Sequence, residues 1–133
     1  MVTNTEKEKE INSSVDLIKF VESKFLKNAP YSTKGQDFIR VGEIIRIGYT
    51  IQEGDKERTQ YYEGLIIAQQ NRGLNRSFTL RRIVQGIGVE QIFILNSPKI
   101  LTIIKKQSSK VRRSKLYFIR QLSGKSTRLK RKF

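Results

Sequence analysis

The sequence predicts a small, mainly β protein with a basic C-terminal extension. Three features carry this. Apolar residues recur at every second position from Phe38 to Ile104, which is the period of half-buried strands. Turn-forming residues interrupt that pattern at short intervals. Every acid lies at or before Glu90, so the alternating pattern gives way to a chain of one sign of charge. Five short strands with tight turns in about 70 residues predict a small closed or half-open β-barrel, because closure removes exposed sheet edges. At 133 residues the chain has room for one domain with one modest core.

Residues 1–12 are polar and alternately charged, and read as a disordered N-terminus. They carry Glu6, Glu8 and Glu10 and no apolar core, unlike a signal peptide or an acid-poor transit peptide. Residues 13–37 read as a helix and a loop. Ser13 followed by Asp16 makes a capping start, and Val15, Ile18, Val21 and Phe25 put an apolar stripe on one face. Pro30 ends the helix, and YSTKGQ, Tyr31 to Gln36, is the loop.

Residues 38–104 read as the barrel. Ile45, Ile47, Tyr49 and Ile51 alternate on one face of the first strand, and the second runs through Tyr61 to Ala68. EGDKER joins them, with Gly54-Asp55 at the tip. Glycine in mid-strand at Gly64 marks a bulge or a close approach. Gln70 to Arg76 is a polar loop broken by Gly73. Ser77 to Ile83 is the third strand, with Phe78 and Leu80 on one side. QGIG, Gln85 to Gly88, is a hairpin turn rather than a phosphate loop, since a strand and not a helix follows it. Val89 to Leu95 is the fourth strand, with Val89, Gln91, Phe93 and Leu95 on one face, and Ile100 to Ile104 is the fifth.

Residues 105–133 read as a basic extension. The chain holds 27 Lys and Arg against 12 Asp and Glu, for a net charge of +15. Residues 91–133 account for +13 of it, with thirteen bases and no acid. Self-repulsion of that size calls for an anionic partner, either nucleic acid or an anionic membrane surface. With no Cys and no His, disulfides, thiolate metal sites, Cys nucleophiles and His acid–base catalysis are excluded. The few acids are scattered, unlike the clustered carboxylates of a metal-dependent nuclease. Neither an enzyme nor a cofactor is expected.

Two segments hold the candidate RNA-binding residues. Asn71, Arg72, Asn75, Arg76, Arg81 and Arg82 lie on one loop and the strand that it feeds, in a stretch without acids. Guanidinium matches phosphate with paired hydrogen bonds, and the amides suit sugar hydroxyls and base edges. The competing reading is a solvated face with arginines paired to Glu63 or Glu90. The second segment is the extension: Lys105, Lys106, Lys110, Arg112, Arg113, Lys115, Arg120, Lys125, Arg128, Lys130 and Arg131, with Lys132 beyond them. Phosphate contacts there would give tight, salt-dependent binding. Leu116, Tyr117, Phe118 and Ile119 form an apolar knot within it, and Tyr117 is a candidate for base stacking or for packing on the barrel. The extension is expected to be disordered without RNA.

Taken in order, YEGLIIAQQNRG (Tyr62 to Gly73), FTLRRI (Phe78 to Ile83), GIGVEQIF (Gly86 to Phe93), NSPKI (Asn96 to Ile100) and VRRSKLYFIRQLSGKSTR (Val111 to Arg128) resemble the large-subunit ribosomal protein L-nineteen family of bacteria and plastids. The resemblance runs from about Ser13 to Lys130. This chain departs from the family in having Val41-Gly42-Glu43 where Pro-Gly-Asp is usual, Gln91 where a base is common, and Ser109 near a usual glycine. The resemblance implies a Src-homology-3-like barrel. It also implies a structural role in the large ribosomal subunit, near its interface with the small subunit. The implied partners are large-subunit ribosomal RNA, neighbouring large-subunit proteins and small-subunit ribosomal RNA, with no membrane and no small-molecule substrate. An off-ribosome RNA-binding barrel is the alternative. Abundant Ile and scarce Ala fit an AT-rich genome, which favours a plastid, with the bacterial cytoplasm second.

Overall fold

A computed structural model describes residues 14–28 and 38–133. The expectations for residues 1–13 and for the loop through Tyr31 to Gln36 lie outside the described residues. Helix α1 spans Ser14–Asn28 and carries Asp16 in its first turn, where a carboxylate suits the helix dipole. Strands follow at β1 (Ile44–Glu53), β2 (Lys56–Gln70), β3 (Ser77–Val84), β4 (Ile87–Ile94) and β5 (Ile100–Gln107). All pairings are antiparallel, in the order β4-β3-β2-β1-β5.

The sheet is open between β4 and β5 yet strongly curled. Tyr49 of β1 and Phe93 of β4 are separated by two strands in the sheet, and their rings are 5.7 Å apart. That distance requires the sheet to wrap round one core. Ile45, Ile47, Tyr62, Ile66, Phe78, Leu80, Phe93 and Ile100, drawn from all five strands, fill this core with Ile39 and Leu95. The alternation that predicted strands therefore holds, with a Src-homology-3-like half-open barrel as the matching architecture. On β4 the expected inner face is wet at one end: Phe93 and Leu95 are buried, Val89 is half-buried and Gln91 is exposed.

Two glycines shape the barrel. A Cβ on Gly64 would sit 2.6 Å from the Arg81 carbonyl oxygen, so only glycine lets β2 and β3 approach this closely. Gly42 has φ of +90° and turns the chain into β1. The Glu43 side chain accepts from the Arg40 N–H at 3.0 Å, so the turn survives the departure from Pro-Gly-Asp.

A register shift between Ile66 and Ala68 puts one extra residue, Ile67, into β2. Ile66 enters the barrel core, while Ile67 and Ala68 face a second core on the outer side of the sheet. Leu116 and Ile119 of the C-terminal arm bury themselves there, and the Leu116 N–H donates to the Ile67 carbonyl at 2.7 Å. The arm's two ends zip together: Lys110 N–H donates to Lys130 O and Lys132 N–H to Ser108 O, each at 2.9 Å. The expectation of an arm that is disordered without RNA is revised accordingly, because two apolar anchors and a backbone zipper dock residues 108–132 on the sheet.

Candidate nucleic-acid interface

The sequence-predicted cations fall into three surroundings. The first is the loop between β2 and β3. Asn71, Arg72 and Asn75 are exposed there, round a 3-10 turn at Gly73–Asn75. Arg76 is half-buried. With its amide oriented to satisfy both neighbours, Gln69 accepts from Arg76 Nε at 2.9 Å and donates to the Ile39 carbonyl at 3.3 Å. The loop is not remote from acids, since Glu22 of α1 reaches it: a Cβ on Gly73 would lie 3.2 Å from Glu22 Oε2. Sequence spacing could not reveal this, because the acid comes from another element.

The second surrounding is a clamp centred on Glu90. Arg81 Nη1 donates to Glu90 Oε1 at 2.9 Å. Arg120 adds two bonds of 2.7 Å, one from Nε to Oε1 and one from Nη2 to Oε2. The hydrogen bond from Arg120 and then the charges of both arginines hold the Glu90 carboxyl below its ordinary 4.5, against the opposing effect of burial. Arg81 is thus committed to structure, as the competing sequence reading had it, and Arg120 ties the arm to β4. Arg82, on the opposite face of β3, leans over the Tyr62 ring at 5.0 Å.

The third surrounding is the surface of the arm. Lys110, Arg112, Arg113, Lys115, Lys125, Arg128, Lys130 and Arg131 are exposed. No acid among the described residues pairs with them. Tyr117 and Phe118 stay outside while Leu116 and Ile119 go in. Arg120 lies 4.4 Å and Lys115 5.9 Å from the Tyr117 ring, and Arg113 lies 5.0 Å from the Phe118 ring. Aromatic faces hold these cations in place without neutralising them. Lys105 differs from its neighbours, since it reaches the buried Glu43 at 3.5 Å and the Phe38 ring at 5.3 Å. Lys106 is exposed at the end of β5.

Chemically this is a rigid display of guanidinium and ammonium groups. It suits multidentate phosphate recognition. Leu129 and Val111 support it by packing on the second core, and sequence reasoning missed both. Their only signal was an isolated apolar residue inside a basic run.

Comparison with known proteins gives the family. The family model described as "Ribosomal protein L19" matches residues 16–132. The chain is 49% identical over 117 residues to the "Large ribosomal subunit protein bL19c" of Phaeodactylum tricornutum, covering 88% of this chain and 92% of that one. It is 53% identical over 95 residues to the bL19c protein of Trieres chinensis, with 71% and 79% of the two chains covered. It is 52% identical over 95 residues to the bL19 protein of the cyanobacterium Cyanothece, with the same coverage. The chain belongs to the L19 family of ribosomal proteins, a structural and non-enzymatic class of the large subunit.

Proposed function

We propose that this protein binds large-subunit ribosomal RNA through its docked arm and helps to hold the large subunit against the small one. The observation that carries the reading is the third surrounding above: an ordered row of cations, seated on apolar anchors, with no acid partner among the described residues. An array of this kind recognises the shape and phosphates of folded RNA more than its sequence. Exposed apolar side chains on α1 (Leu17, Ile18, Val21 and Phe25) and on β4 (Ile92 and Ile94) support contacts with neighbouring ribosomal proteins. The position near small-subunit RNA rests on the family resemblance. Residence on a plastid ribosome rests on the compositional bias and on similarity to the bL19c proteins of Phaeodactylum and Trieres.

The test is sedimentation of an organelle or cell lysate through a sucrose gradient at high salt, with the chain located by mass spectrometry. Co-migration with the large subunit and with whole ribosomes, resistant to the salt wash, is the expected result. Crosslinks from the arm to ribosomal RNA would accompany it. A chain left at the top of the gradient would instead favour an RNA-binding barrel that acts off the ribosome.

A further inference from the structure

A groove of about 440 Å³ separates the outer face of the sheet from the returning arm. Its walls are apolar, with Leu65 on the sheet side and Ile119 and Leu122 on the arm side. Arg82, Arg128 and Arg131 line it, and no acid does. Two polar atoms of its lining, Arg82 Nε and Ser109 Oγ, are buried without a hydrogen-bond partner. Ser109 as a whole is 7% exposed, so ordinary solvent does not satisfy it. Buried polar atoms left unpaired in a cleft are where a ligand's own donors and acceptors belong.

These features describe an amphiphilic anion with a flat, uncharged part. An unstacked nucleotide has this make-up: a base with a π-face and polar edges, joined to a phosphodiester. The volume falls in the range of sites that enclose a small ligand, and it is too narrow for a stacked helix. We infer that the groove takes one nucleotide extruded from folded RNA, with its base between the sheet and the arm and its flanking phosphates on Arg128 and Arg131. Arg82 and Ser109 offer polar atoms to the base edge, and guanidinium planes provide a stacking surface. This rests on the RNA-binding reading and narrows it to an unpaired nucleotide at one defined place.

The experiment uses the full chain and three RNA hairpins in fluorescence polarisation at one fixed salt concentration. One hairpin is fully paired, one carries a single bulged nucleotide, and one carries an abasic residue at the bulge. The expected result is a preference for the bulged over the paired hairpin of roughly five- to a hundred-fold, the range of one base-stacking contact. The abasic hairpin should bind like the paired one. Leu122→Trp, which fills the groove from its exposed rim without changing charge, should abolish the preference and leave paired-hairpin affinity within about two-fold. Equal binding of bulged and paired hairpins would overturn the inference. So would an abasic bulge that binds as well as the intact one, since the backbone and not the base would then be read; this arm depends on no variant. Failure to bind any hairpin at low salt would overturn the RNA reading itself, and the groove's role with it.

Discussion

Truncating Leu116 to alanine should loosen the arm and leave the barrel folded. Leu116 is 1% exposed, packs with Ile67, Ala68 and Ile119, and donates its N–H to Ile67. Leu→Ala at such sites costs about 2–5 kcal/mol, least where the surroundings can close over the gap. One wall here is the sheet and the other is a short 3-10 turn, Tyr117–Gln121, which is free to settle inward. The lower figure, about 2 kcal/mol, is therefore the expectation, and it corresponds to roughly thirty-fold in the equilibrium for opening the arm. Native-state hydrogen exchange reads this directly. The Leu116, Ile119 and Leu122 amides, each bonded to a carbonyl of the second core or its turn, should lose about thirty-fold in protection. The β1–β2 ladder amides should change by less than about three-fold. RNA affinity should fall too, because an arm that is no longer seated must be ordered on binding. An equal loss of protection in arm and ladder would refute the argument, since arm and barrel would then be one cooperative unit. Unchanged protection in the arm would refute it differently, by showing that Leu116 does not seat it.

Glu90→Gln removes the charge that both Arg81 and Arg120 address, and should lower stability by about 1 kcal/mol after allowance for solvent screening. The Glu90 carboxyl titrates below its ordinary 4.5, so its contribution is fully present above that value and disappears as pH falls through the lowered one. The difference in urea midpoint between wild type and variant should therefore be constant near neutrality and shrink below pH 4.5. Gly64→Ala should destabilise by about 1–3 kcal/mol, because the new methyl would press on the Arg81 carbonyl and Leu80; an unchanged urea midpoint would show that β3 can yield. Replacing Arg112, Arg113 and Lys115 by glutamine should reduce the slope of log affinity against log salt by about 0.7–0.9 for each phosphate no longer neutralised. A slope that stays the same would mean that the phosphates are held elsewhere.

The barrel was legible because period-two alternation and two-residue turns are local signals. The Arg81–Glu90 pair was legible too. Counting back from the Gln85-Gly86 turn pairs Val84 with Ile87 and hence Arg81 with Glu90. The docking of the arm had a subtler signal. Leu65 to Ala68 is an unbroken apolar run, as expected of a strand buried on both faces, and the second face needed a cover. Leu116 and Ile119 supply it at a three-residue spacing that fits the 3-10 turn. The Lys105–Glu43 contact was not legible: its partners are 62 residues apart and meet only because β5 pairs with β1. The surroundings of α1 were equally hidden. Its apolar stripe stays exposed at Ile18, Val21 and Phe25, and the helix meets the barrel's β2–β3 loop through Glu22. Amphipathicity gives a face but not a partner.

Salt should act in opposite directions on the free protein and on its complex with RNA. The arm carries most of the chain's positive charge, and among the described residues only Glu90 and Glu43 pair with cations of residues 105–133. Its docking therefore depends on Leu116, Ile119 and the backbone zipper, which act against repulsion among the arm's cations. More intramolecular acids would have steadied the free arm, but incoming phosphates would then have had to displace them. Screening weakens like-charge repulsion between exposed groups once the Debye length falls to about 3 Å near 1 M salt. It leaves apolar burial in place. Raising sodium chloride from about 0.05 to 0.5 M should thus raise the melting temperature of the RNA-free protein while weakening its affinity for RNA by orders of magnitude. Calorimetry and polarisation on one preparation decide it. A melting temperature that falls with salt would mean that attractive ion pairs, rather than apolar anchors, hold the arm, and the separation of anchoring from phosphate binding would fail.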